Sequence, residues 1–161
     1  GRRGNLPTLV NEISSSLGMS TSPLLAQMPA DVIVEMSPAW SVNVRFENGS
    51  LRLQLNLREL RQGNRLSWRN FSIVAFYRPN DAPGQVSLVR EGQLSVMGRS
   101  IGLADRIALQ GIFNKVFSRT RAISLMTQEL VDHPALVDTQ ISQHVVDNGW
   151  LCIAVGEGTN H

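Results

Sequence analysis

Residues 40–58 read Trp40-Ser41-Val42-Asn43-Val44-Arg45-Phe46-Glu47-Asn48-Gly49-Ser50-Leu51-Arg52-Leu53-Gln54-Leu55-Asn56-Leu57-Arg58. Apolar and polar residues alternate on both sides of Asn48-Gly49, as they do in a strand with one buried face. Asn-Gly is the preferred pair for a two-residue type I′ turn, because both residues tolerate positive φ. A hairpin closed there pairs Phe46 with Leu51, Val44 with Leu53, Val42 with Leu55 and Trp40 with Leu57. Every pair is apolar, so turn chemistry and alternation specify one register, and a one-residue slip would turn the whole set outward. The opposite face then sets Arg45 against Arg52, a like-charge pair.

Working outward, Val32 and Val34 open a short strand that stops at Ser37-Pro38. A third long strand is expected from Leu66 to Tyr77. Leu66 and Trp68 lie on one parity and Phe71, Ile73, Ala75 and Tyr77 on the other, a change near Asn70 that suggests a β-bulge. The run from Pro79 to Gly84 has the composition of a loop. Gln85 to Met97 reads as one long strand kinked at Gly92 rather than as a second hairpin.

The period then becomes helical. Leu109, Ile112, Phe113, Val116 and Phe117 form the stripe of an amphipathic helix over about Leu103 to Phe117. A shorter helix is expected after Thr120, carrying Ile123, Met126, Leu130 and Val131 and ending before Pro134. A second hairpin closes at Asp147-Asn148-Gly149-Trp150, pairing Val146 with Leu151 and His144 with Ile153. Its last strand is apolar on both faces, as in a strand covered on both sides. Residues 6–28 have near-helical apolar spacing. The partition is therefore a helical lead-in (1–30), one domain (31–156) and a short tail (157–161). The fold class is α+β: a curved antiparallel sheet with bulges, packed on an amphipathic helix and closed by a C-terminal hairpin.

At 161 residues a single domain buries roughly two-thirds of its unfolded surface and needs no covalent staple. The single cysteine, Cys152, excludes an intrachain disulfide. Basic charge is fourteen Arg and one Lys, with 11 Arg against 7 acids over 1–101 and 4 basic against 6 acidic groups over 102–161. That split is too shallow for a nucleic-acid surface. No stretch approaches the ~18 consecutive apolar residues of a membrane-spanning helix. The opening Gly1-Arg2-Arg3-Gly4 has no initiator Met and no apolar signal region, and is expected of a domain within a longer or processed protein.

Residues able to carry chemistry are scattered. His133, His144 and His161 lack metal-ligand spacing, so no metal and no cofactor is expected. His133, before Pro134, suits a helix end. Cys152 pairs with Val145 in the hairpin register and so points away from His144, which makes it a buried structural cysteine rather than a nucleophile. Ser14-Ser15-Ser16 lacks the G-x-S-x-G context, and no phosphate-binding glycine loop is present. Trp68-Arg69 and Phe76-Tyr77-Arg78 resemble stacking platforms, but their rings alternate like core residues, so no nucleic-acid partner is expected. Arg45 and Arg52 could together hold an anion; the plainer reading is a solvated face with Glu47 as diagonal partner.

The order of long alternating strands, bulged sheet, amphipathic helix and closing Asp-Asn-Gly-Trp-Leu strand resembles tubular lipid-binding domains and small lipid-binding lipoproteins of bacterial envelopes, over about Asp31 to Gly156. The resemblance lies in element order and transfers no binding residue. It implies a bacterial envelope or periplasmic setting and an apolar groove between helix and sheet. The face and stripe that would line such a groove are Trp40, Val42, Leu53 and Leu55 with Leu109, Ile112, Phe113 and Val116. Alternatively, stripe and face simply fill each other. The expectation is a non-enzymatic binding or scaffolding domain taking an apolar small molecule or lipid. The alternative is a protein-protein interaction module of a larger envelope or secretion assembly, marked by an exposed apolar patch or an unpaired long edge strand and by a solution mass above the monomer.

Overall fold

The computed structural model describes residues 3–5, 8, 31–63, 66–80, 87–124, 133–134, 139–147 and 149–157. In chain order the elements are β1 (Arg3–Asn5), β2 (Val32–Met36), β3 (Val42–Glu47), β4 (Ser50–Gln62), β5 (Leu66–Pro79), β6 (Ser87–Met97), α1 (Leu103–Val116), β7 (Ile123–Ser124), β8 (Thr139–Asp147) and β9 (Trp150–Glu157). Strands β1 to β7 form one antiparallel sheet in the order β1-β2-β4-β5-β6-β7, with β3 also on β4; β8 and β9 form a separate two-stranded sheet. The large sheet curls into a half-barrel around α1, the α+β arrangement expected from the sequence.

The hairpin at Asn48-Gly49 forms as read. Both turn residues have positive φ, 52° and 72°, and Phe46 faces Leu51, Val44 faces Leu53 and Val42 faces Leu55. The pair of Trp40 with Leu57 does not form, because Met36 of β2 takes Leu57. Pro38 has no N–H to continue a ladder, and the chain loops out between β2 and β3 opposite Asn56. The Asn56 main chain bridges the gap, accepting from the Ser37 N–H and donating to the Ser41 carbonyl, each at 2.9 Å. Strands β2 and β3 are thus two pieces of one edge along β4.

At Asn70, φ is 52°, a left-handed conformation that asparagine tolerates better than most residues. The β4–β5 register does not slip there. Both strands change parity together, so the buried set runs Leu57 then Leu60 on β4 and Phe71 then Trp68 on β5. The expected bulge is therefore a shared corner that carries the apolar face around the bend. Strand β6 is continuous, with the left-handed Gly92 beside a register shift against β5 between Val74 and Phe76.

Leu109, Ile112 and Phe113 sink into one cluster with Leu55, Ile73 and Leu94. Each such residue contributes about 1.5–3 kcal/mol by leaving water. The start of α1 is tied to β5 by the Trp68 Nε1–H, which donates to Asp105 Oδ1 at 2.9 Å.

Three expectations are corrected. Ile123 lies in β7 opposite Leu88 rather than in a helix, because the free edge of β6 accepts this β-branched residue; residues 125–132 lie outside the described residues. Strand β9 is not covered on both sides: Trp150 is 74% exposed, and Cys152 is exposed instead of buried. The reason is that, among the described residues, β8 and β9 pair only with each other, and it is β8 that leans on β3, β4 and β5. Of the expected helix over 6–28, all but Thr8 lies outside the described residues, while β1 joins the main sheet beside β2.

Candidate functional site

The residues expected to line an apolar groove do not share one surface. Leu53, Leu55, Leu109, Ile112 and Phe113 are buried members of the core, with Val116 packed at its margin. Leu55, Leu109 and Phe113 have no exposed surface. Trp40 and Val42, in contrast, are 78% and 39% exposed, and Val44 is 42% exposed. Helix α1 packs on β6, so its cover reaches the leucines of β4 but not β3, the edge strand beyond them. The apolar face continues past the helix and opens to solvent there.

The geometry of β3 is set by its turn. Glu47 and Ser50 flank the two-residue loop and form a hydrogen-bonded pair, so Arg45 and Asn43 bond β4 while Phe46, Val44 and Val42 direct their main-chain groups away from it. The Phe46 carbonyl is taken by the Gly149 N–H at 2.9 Å, where the tip of the β8–β9 hairpin touches. The outward groups of Val42 and Val44 have no partner among the described residues.

Trp40 ends the excursion between β2 and β3 at φ 57°, a conformation that costs a bulky residue roughly 1–2 kcal/mol. Side chains hold it there. Asn56 Nδ2 donates to the Trp40 carbonyl at 2.5 Å, the Ser41 hydroxyl donates to the Ser37 carbonyl, and the Ser72 hydroxyl and Gln54 amide both donate to Asn56 Oδ1 at 2.7 Å. Beneath the excursion lies an open cleft of about 510 Å³, bordered by Pro38, Trp40, Asn56, Arg58 and Asn70. Sequence reading placed Trp40 in the strand; the signal against this was Ser37-Pro38.

The polar face is neutralised locally. Arg45 and Arg52 stand opposite each other as the register requires. Arg52 donates to Gln54 Oε1 at 2.6 Å and lies 3.8 Å from the Glu47 carboxylate, which supplies the expected diagonal partner. Glu59 is held by Arg61 at 2.8 Å and Arg69 at 3.0 Å. Hydrogen bonds from Arg61, then Arg69, lower its pKa to about 2 against the opposing effect of burial. No group of metal-ligating side chains occurs among the described residues, and none of their helices is long and apolar enough to cross a membrane.

Comparison of the chain with protein-family models, curated proteins and solved structures returns no match.

Proposed function

We propose that this chain is a non-enzymatic binding domain that works by protein contact along the edge formed by Trp40 and β3. The observation that supports this reading is the coincidence, on one short strand, of exposed valine side chains with outward main-chain groups that have no partner among the described residues. Edge strands of that kind are normally blunted by charge, proline or cover. An extended segment laid along β3 would bury Val42 and Val44 and satisfy their N–H and C=O groups in the same step. A second copy of β3 is itself such a segment, so a two-fold pair of β3 edges is the simplest assembly. An apolar or lipid ligand between helix and sheet is favoured less, because Leu55, Leu109 and Phe113 already pack together without exposed surface.

Sedimentation velocity over a range of protein concentrations tests the proposal. The expected result is a concentration-dependent mass above the monomer, returned to monomer by Val44→Asp with little change in thermal stability, since Val44 is exposed. Trp40→Gly should weaken association while stabilising the fold by about 1 kcal/mol, because glycine relieves the left-handed strain. A wild-type chain that is monomeric at every concentration would overturn the reading. Saturable uptake of a fluorescent fatty acid by that monomer would restore the enclosed-ligand alternative.

A further inference from the structure

Where the C-terminal end of α1 meets the kink in β6, two guanidinium groups have no acid beside them among the described residues. Arg90 is 8% exposed. Its Nη1 donates to Asn114 Oδ1 at 2.8 Å and to the Phe117 carbonyl at 2.5 Å. Its Nε is sealed from solvent and has no acceptor among the described residues. Arg119 reaches back from beyond the helix, and its Nε–H donates to the Gly92 carbonyl at 3.0 Å. The described ion pairs use Arg52, Arg58, Arg61, Arg69 and Arg78, and neither Arg90 nor Arg119. Burial lowers the pKa of Arg90, and the charge of Arg119 pushes it the same way.

A cleft of about 370 Å³ separates these two cations, bordered also by Gln93, Gln110, Ser118 and Thr120, with no acid among its described lining residues. A buried cation without a counter-charge costs several kcal/mol. The helix end offers roughly half an elementary negative charge, which answers the buried Arg90 only in part, while the exposed Arg119 adds a second positive charge at the mouth of the cleft. The hydroxyls of Ser118 and Thr120 hydrogen-bond each other at 3.0 Å, which leaves one O–H of the pair to donate into the same cleft.

We propose that this cleft is a binding site for a phosphate-type oxyanion, held by Arg90 and Arg119 with the remaining O–H of the Ser118 and Thr120 pair. Guanidinium groups match the oxygen spacing of phosphate and hold it by charge-assisted hydrogen bonds. The volume falls at the lower end of small-molecule sites, so the anion can carry a small organic body: a soluble phosphomonoester or a phospholipid headgroup. The site is independent of the β3 edge.

Inorganic phosphate is the first probe, by calorimetric titration and thermal melts against sodium chloride at matched ionic strength. The expected result is saturable binding with a rise in melting temperature beyond that of chloride. Arg119→Gln, at an exposed position that spares the core, should weaken binding about tenfold, as loss of one charged partner does. Arg45→Gln, on β3, should leave it unchanged. Phosphate acting no better than chloride would overturn the proposal, as would equal losses in Arg119→Gln and Arg45→Gln. Co-sedimentation with phosphatidic acid vesicles, but not phosphatidylcholine vesicles, and its competition by phosphate would identify a headgroup. Phosphate binding without vesicle binding would identify a soluble anion.

Discussion

Tyr77, the chain's only tyrosine, stands directly opposite Arg90 across β5 and β6. Burial raises its pKa from 10.0 to about 12, and the nearby charge of Arg90 offsets only part of that rise. Because the folded-state value is raised, the fold holds the proton more tightly than the unfolded chain. Stability from this residue is complete below pH 10 and is lost as pH climbs toward 12. An ultraviolet difference titration reads this one phenol without interference. Its midpoint should lie well above that of the urea-unfolded chain; coincident midpoints would place Tyr77 in water. The same residue shows what alternation could convey. Its parity with Phe71, Ile73 and Ala75 announced burial, while its neighbour Arg90 reads in sequence as one more strand arginine.

Helix α1 shows how far a stripe can be trusted. Leu109, Ile112 and Phe113 are buried as the spacing required, whereas Leu103 and Ile107 are exposed although they too are apolar. Phe113→Ala should cost about 3–5 kcal/mol through lost burial and the cavity left behind. Ile107→Ala should change stability by less than about 0.5 kcal/mol, since the side chain is mostly in water and alanine favours helix. Chemical denaturation of the two variants checks the contrast, and equal losses would contradict the assigned face. The neighbouring strands teach the same lesson. The leucines of β4 and the valines of β3 carry one pattern and pair residue for residue, yet only the leucines lie under the helix.

For the molecule as a whole, acid tolerance should depend on Glu59 and its two arginines. The Glu59 pKa is depressed from 4.5 to about 2, so its ionised form is favoured by folding. The stability it contributes is complete above pH 4.5 and fades as pH falls through about 2. In urea titrations across that window the wild-type midpoint should fall, and Glu59→Gln should remove that part of the fall while lowering the midpoint at neutral pH. Parallel slopes in the two proteins would show that Glu59 is not the group responsible. The acid and its partners come from β4 and β5, so this region holds two strands in register near the shared corner at Asn70.

Sequence alone determined the features governed by neighbours along the chain. These are the type I′ turn at Asn48-Gly49, the register of β3 on β4, the single kinked β6, the span of α1 and the pairing of β8 with β9. Each follows from local sterics and a short period, so no distant residue is needed to predict it. Only the tertiary structure decided what covers each face. It left Val42 and Val44 in water, looped Trp40 out at the Pro38 break, exposed Cys152 and brought Arg90 and Arg119 to one cleft with no acid among its described lining residues. Those outcomes depend on where α1 and the closing hairpin come to rest against the curled sheet. Such docking is set by long-range packing, and a periodicity of two or of 3.6 along the chain carries no record of it.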